Sequence, residues 1–226
     1  MIMVVMCGEG SQDVGKRDYQ TDHWIDGPAA ALFKVALDHS HNRACNITGI
    51  NKYELDKEIS VQKGVLKIVK GHGIKAYRLA RYALLKRITF AVCYVDCDRR
   101  DFDDLHREFQ KGFESVTSVK GIPMIPKTMI ECWLLADEHA YQKLFKRKPQ
   151  NPALPSKPED LRGAKSEPES NYPKHVLRRV ISQFHQVPDE YRLLLAELSD
   201  PDVLKSHCPI SYERFYQDIL VFFTAT

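Results

Sequence analysis

Glu9, Asp96 and Asp98 are the residues of this chain whose types and positions invite chemistry. Glu9 stands in Cys7-Gly8-Glu9-Gly10-Ser11-Gln12-Asp13, directly after an apolar run. Asp96 and Asp98 close Tyr94-Val95-Asp96-Cys97-Asp98, directly after another. Carboxylates gathered in one place repel unless a cation lies among them, and oxygen-only ligand sets suit Mg²⁺ or Mn²⁺ rather than zinc. Two such ions about 3.5–4 Å apart hydrolyse phosphodiesters, one activating water and the other stabilising the leaving oxygen. Gly8 and Gly10 let the backbone turn sharply around Glu9 and a phosphate approach closely. On this chemistry Asp96 and Asp98 are metal ligands, Glu9 is a ligand or general base, and Asp13 either holds a second metal or supports the first set from behind. Glu131 is a further ligand, or else it caps a helix with Thr128, since Thr128-x-x-Glu131 also has the form of a capping box.

Each motif is common by itself. Acidic residues at strand ends are mostly solvated turn residues, and D-x-D also serves nucleotide-sugar transferases and phosphatases with an aspartyl nucleophile. The phosphatase order places D-x-D after the first strand, whereas here that strand ends in Glu9. Specificity comes from both motifs, each after a strand, in this order.

For these acids to meet, strands must carry them to one edge. The Val/Met-rich run over 2–7 stopping at Gly8 predicts a buried strand, and Asp26-Gly27-Pro28 starts a helix over 29–37. Weak periodicity over 43–60 reads as an irregular insertion. Residues 65–69 alternate like a strand, and Ala76, Leu79, Ala80, Ala83 and Leu84 recur at helical spacing over 74–86. The β-branched and aromatic stretch 88–95 is the central strand. A helix over 101–116 carries Phe102, Leu105, Phe109 and Phe113 on one stripe, 121–126 is a short extended edge with two prolines, and Thr128 starts a helix to 145. Six of the twelve prolines fall within 149–173, which reads as a connector. Helices follow over 175–184, 189–198 and 212–223. This alternation predicts an α/β Rossmann-like domain over 1–148, its mostly parallel sheet flanked by helices, then the connector and a small helical C-terminal subdomain over 174–226. In such folds sites form where the carboxyl ends of strands lie together, and period-2 geometry sends Asp96 and Asp98 to the same side.

Formal net charge is only +3 over 226 residues, so a nucleic-acid surface must be local. Arg99, Arg100, Lys120, Lys127, Lys165 and Lys174 are the candidate phosphate contacts. The six cysteines contain no C-x-x-C pair and read as reduced residues of a cytoplasmic protein. The apolar opening lacks a basic n-region and a long h-region, which predicts a strand rather than a signal peptide, and no apolar run is long enough for a bilayer. Gly71-His72-Gly73-Ile74-Lys75 lacks Walker A spacing, and Gly10-Ser11 is no nucleophile elbow. Phe215, Tyr216, Ile219, Leu220, Phe222 and Phe223 make an apolar C-terminus that serves either as an interaction face or as internal core.

Glu9 after strand one and Asp96-x-Asp98 after a later strand resemble the TOPRIM signature of topoisomerases, primases and overcoming-lysogenization-defect nucleases. E-G-x-x-D, with Asp13 four residues after Glu9, is similar to the form found in the nuclease branch. The stretch Ile122-Pro123-x-Ile125-Pro126-x-Thr128-x-Ile130-Glu131-Cys132-Trp133-Leu134-Leu135-Ala136-Asp137 resembles a motif of small stand-alone TOPRIM-like proteins encoded beside ABC-type ATPases in bacterial defence loci. The resemblance covers roughly residues 1–145, and its departure is the long loop between strand one and Asp96. It implies a Mg²⁺- or Mn²⁺-dependent nuclease acting on DNA or RNA, an anti-phage effector with an ABC-type ATPase partner, self-association being left open. The rivals are a catalytically silent TOPRIM-like module that binds and regulates that ATPase, and a D-x-D nucleotide phosphotransferase.

Overall fold

The computed structural model describes residues 1–18, 20–21, 23–61 and 63–223. Ile2–Cys7 is strand β1, and its uninterrupted apolar sequence fits a strand buried on both faces. A one-turn helix α1 (Ser11–Val14) leads into a short antiparallel pair, β2 (Gly15–Arg17) and β3 (Trp24–Asp26). Helix α2 (Pro28–His41) has Pro at its first turn and ends on Asn42 in the left-handed conformation. Then come β4 (Cys45–Ile50), α3 (Lys52–Glu58), a 3-10 turn over Val65–Lys67, α4 (Gly73–Leu85), β5 (Phe90–Tyr94), α5 (Phe102–Glu114) and β6 (Lys120–Met124). The chain continues through α6 (Ile130–Leu134), α7 (Glu138–Phe145), a 3-10 turn over Pro158–Asp160, α8 (Pro173–Ser182), α9 (Pro188–Leu198), α10 (Pro201–His207) and α11 (Tyr212–Phe223).

The main sheet has the order β4-β1-β5-β6 and is parallel throughout, with Val4 opposite Phe90, Cys7 opposite Cys93 and Cys93 opposite Pro123. It is the expected α/β architecture: a four-stranded parallel sheet flanked by helices, with helices at the C-terminal end. Alternation along the strands splits the apolar interior. Val4, Met6, Phe90, Val92 and Tyr94 join one cluster, whereas Val5, Cys7, Ala91, Cys93 and Val95 join the other. The first cluster is completed by α2 and by side chains from the C-terminal helices, the second by α4 and α5. Phe215, Tyr216, Ile219 and Phe223 belong to the first cluster, so the apolar C-terminus serves as core, with Phe223 stacked on Phe90 at 4.1 Å. The 149–173 segment is pinned by Glu159, whose carboxylate accepts from the Ile210 and Ser211 amides at 3.0 and 2.8 Å.

Several sequence expectations are corrected. Residues 43–60 are not irregular: Cys45–Ile50 pairs in parallel with β1, and Asn51 and Glu54 form a reciprocal capping box for α3. Only three β4 side chains are buried, so an edge strand with Asn, Thr and Gly in it shows little hydrophobic pattern. Residues 65–69 hold the 3-10 turn Val65–Lys67 rather than a strand, with Ile68 exposed. The helix expected from Thr128 to 145 is two helices, because Asp137 turns the chain and caps α7 through the His139 amide at 2.8 Å. All six cysteines are free and buried, and no described helix is long and apolar enough to cross a membrane.

Candidate functional site

The carboxyl ends of β1, β5 and β6 carry the acids, as a parallel sheet dictates. Strand β5 ends at Tyr94, but alternation runs on to Cys97: Val95 and Cys97 face the second cluster, and their amides donate to the Met124 and Pro126 carbonyls at 3.1 and 3.0 Å. Asp98 takes a left-handed backbone (φ 53°), which short acidic side chains tolerate, and its amide donates to the Thr128 carbonyl at 2.8 Å. The two aspartates therefore part: Asp96 turns inward while the Asp98 side chain is 59% exposed. The expectation that both would share one side fails because alternation, kept through Cys97, is broken by the left-handed backbone at Asp98.

Asp96 is built into the first apolar face. Its Oδ1 accepts from the buried Tyr94 hydroxyl at 2.5 Å and from the Ile130 amide, the first of α6, at 3.2 Å. Burial raises its pKa to about 7; the Tyr94 hydrogen bond pulls the other way, the Glu131 and Asp13 charges push further up, and Lys174 counters them. Glu131 follows one residue into α6 and is 2% exposed. Burial raises its pKa, opposed by Arg192 and Lys174. Asp13 arrives from α1, placed by the tight Gly8-Glu9-Gly10 turn. A Cβ on Gly8 would overlap the Val14 side chain and lie 2.9 Å from Tyr94 Cδ1, so only glycine fits there.

Arg192 of α9 reaches into this set, its Nη2 2.5 Å from Asp13 Oδ1 and 3.0 Å from Glu131 Oε1. Its own burial disfavours the charged form, but Glu131 and Asp13 outweigh that and raise its pKa. Glu131 Oε2 and Arg192 Nε remain buried without a hydrogen-bond partner. The Thr128 capping box does not form: Met129 is the N-cap of α6 without a side-chain bond, and the Thr128 hydroxyl accepts from Arg162 at 2.5 Å.

Glu9 and Asp98 belong to a second, more open group on the other face. Glu9 Oε1 lies 3.7 Å from His72 Nδ1, and His72 stacks on Phe109. Arg100 donates to His72 Nε2, to the Asp96 carbonyl and to the Cys97 carbonyl at 3.2 Å, and lies 3.9 Å from Asp98. A guanidinium only donates, so Nε2 must accept and the imidazole proton sits on Nδ1, facing Glu9. Burial and the neighbouring Arg100 lower the His72 pKa, which favours the neutral ring. Tyr172 adjoins both groups: burial and then the charges of Asp98, Glu131 and Asp96 raise its pKa against Lys174. A cleft of about 590 Å³ opens beside Glu9, lined also by Gly10, Trp24, Lys52 and Tyr53.

Of the basic residues, the exposed Lys174 lies near enough for its charge to lower the pKa of Asp96 and Glu131, Arg100 spans the open group, and Arg99 is exposed beside it. Lys127, after β6, pairs with Asp160 at 3.4 Å. Lys165 is exposed, its carbonyl bonded to His175. Lys120 stands apart: it begins β6, at the opposite edge from the acids, and donates to the Phe222 carbonyl at 2.9 Å. Sequence reasoning missed Arg192, Tyr94 and His72 as members of the site. Only His72, between two glycines just before a helix, had a local signal.

The acids suit a hard cation by donor type, being all oxygen, and the unpartnered Glu131 Oε2 offers free ligand capacity. Among the described residues, the only three His, Cys, Asp or Glu side chains whose ligand atoms lie mutually within 4.8 Å are the exposed His39, Asp200 and Asp202. The acids around Arg192 are thus spread more widely than that. No protein-family model matches the chain, and no curated protein and no solved structure matches it.

Proposed function

We propose that this chain is a metal-dependent nuclease of the TOPRIM type, hydrolysing phosphodiester bonds of DNA or RNA in the cytoplasm with an ABC-type ATPase as partner. One observation carries the reading: Asp13, Asp96 and Glu131 converge, largely buried, at the carboxyl edge of a parallel sheet, with a carboxylate oxygen of Glu131 unpartnered. Buried carboxylates without a cation are costly, and sites of strongly perturbed pKa are where function concentrates. Asp96, Glu131 and Asp13 would hold Mg²⁺ or Mn²⁺, with Glu9 and Asp98 completing the set from the open side. The metal would supply phosphate charge neutralisation and an activated water.

The chain's own groups divide the remaining work. Tyr94 fixes the Asp96 carboxylate, and the Ile130 amide orients it. His72, whose Nδ1 faces Glu9 from 3.7 Å, would help orient that carboxylate as a base. Arg99, Arg100, Lys127 and Lys174 border the edge where the phosphodiester backbone would lie, and Arg and Lys there bind phosphate without reading sequence. The Arg192 ion pair favours a second reading, a catalytically silent module that binds and regulates the ATPase, because a guanidinium already neutralises part of the set.

Cleavage decides between them. Purified protein, alone and with its ATPase partner, is expected to cut plasmid DNA or single-stranded RNA in Mn²⁺ and not in EDTA, and Asp96→Asn to cut neither. Equal cutting in EDTA, or full activity of Asp96→Asn, rejects the nuclease reading; a folded, metal-binding protein that cuts nothing with its partner supports the silent module.

A further inference from the structure

We propose that Arg192 is a built-in counter-ion that competes with the divalent cation for Asp13 and Glu131, so that metal loading requires α9 to withdraw its guanidinium. This rests on the metal-site reading above and adds to it a regulatory element on a helix remote in sequence from the acids. Three observations carry it. First, Arg192 Nη2 contacts Asp13 Oδ1 at 2.5 Å and Glu131 Oε1 at 3.0 Å, oxygens a cation would need. A guanidinium and a divalent ion cannot both sit against them. Second, the grip is one-armed. Arginine binds carboxylates best through a two-pronged fork, yet Arg192 Nε and Glu131 Oε2 are each buried without a partner. The pairing leaves polar capacity unused on both sides, which a tighter ligand set would recover. Third, Asp13, Asp96 and Glu131 do not bring one ligand atom each mutually within 4.8 Å, so a cation bound by all three calls for them to draw closer once the guanidinium leaves.

Charge favours the exchange. One guanidinium faces Asp13 and Glu131, with Asp96 close behind, whereas a divalent ion carries twice its charge in less space. Helix α9 has the means to resist, since Leu195 and Ala196 are fully buried against the shared core. The metal must therefore work against packing, and a partner that loosens α9 would lower that barrier. The rival account makes Arg192 a brace that stays in place in the loaded site. The two accounts differ in sign: removing a competitor tightens metal binding, and removing a brace weakens it.

The experiment is calorimetric titration of Mn²⁺ into full-length wild type, Arg192→Gln and Arg192→Lys at one pH. Arg192→Gln is expected to bind about tenfold more tightly than wild type, and Arg192→Lys, which keeps the charge, to stay closer to wild type. Equal or weaker binding by Arg192→Gln overturns the proposal. Should that variant fail to fold, hydrogen exchange on the wild type decides: saturating Mn²⁺ is expected to speed exchange of the 188–198 amides, and unchanged or slower exchange overturns the proposal. Wild-type binding with no gain in the variant removes this proposal alone. Absence of binding to either protein removes the metal-site reading and this proposal with it.

Discussion

The two acidic groups at the sheet edge draw on the same turns, Glu9 with Asp13 and Asp98 with Asp96, and differ in nearly every physical respect. Asp13, Asp96 and Glu131 lie on the face that the C-terminal helices cover, with Arg192 among them and Tyr94 beneath. Glu9 and Asp98 lie on the face toward α4 and α5, open to solvent, with His72 and Arg100 as loose neighbours. Strand alternation assigns Tyr94 to the first apolar cluster, and with it the anchor of Asp96, while Cys7, just before the Glu9 turn, belongs to the second. Burial then sets the consequences. A carboxylate in the covered group changes its proton affinity and its partners' stability; one in the open group interacts through water and costs little to alter.

The largest expected difference is in stability. Arg192→Ala leaves Asp13 and Glu131 facing each other without a counter-charge, and breaking such a buried pair costs roughly 3–5 kcal/mol. Urea denaturation in EDTA measures it, and a loss no larger than that of an exposed ion pair would mean the covered group is wetter than its burial indicates. Next in size is a pH effect. The folded pKa of Asp96, about 7, lies above its ordinary value of 3.8, so between those limits the folded state binds the extra proton. Metal-free stability should therefore be full below pH 4 as far as this group is concerned, and fall by a few kcal/mol as pH rises to 7. Asp96→Asn removes that slope while keeping the Tyr94 contact, and should be the more stable protein at pH 8 without metal. Parallel denaturation curves for the two proteins from pH 5 to 8 would contradict it.

Smaller still are the effects in the open group. Glu9→Gln and Asp98→Asn should each shift stability by less than about 0.5 kcal/mol, as exposed substitutions do. Both should nonetheless lower Mn²⁺-dependent cleavage sharply. A thermal melt paired with the cleavage assay separates the two, and Glu9→Gln retaining full cleavage would remove Glu9 from the site. Gly8→Ala tests the turn that joins the groups. Its methyl would press on Val14 and Tyr94, so loss of Mn²⁺ binding should accompany its destabilisation.

What could be read beforehand follows the same division between local and long-range signals. Strand β5 was legible because a β-branched and aromatic run has few other uses, and α5 because Phe102, Leu105, Phe109 and Phe113 repeat at helical spacing. Glu9 and Asp96 could be placed on one edge from parallel topology alone. Their separation into two groups could not, since it turns on the left-handed backbone at Asp98. β4 escaped because an edge strand buries few side chains, though the Asn51 and Glu54 capping box beside it was there to be read. Arg192 carried no signal at all: in α9 it resembles any helical arginine, and only the fold sets it against Asp13 and Glu131.

On the metal-site reading, the covered acids act together on one divalent cation. Calorimetric titration of Mn²⁺ at pH 8 into wild type, Asp96→Asn and Glu131→Gln tests it most directly. Saturable binding to wild type, abolished in Asp96→Asn and strongly weakened in Glu131→Gln, is the predicted result. Wild-type binding that both variants retain unchanged would contradict it and place the cation elsewhere.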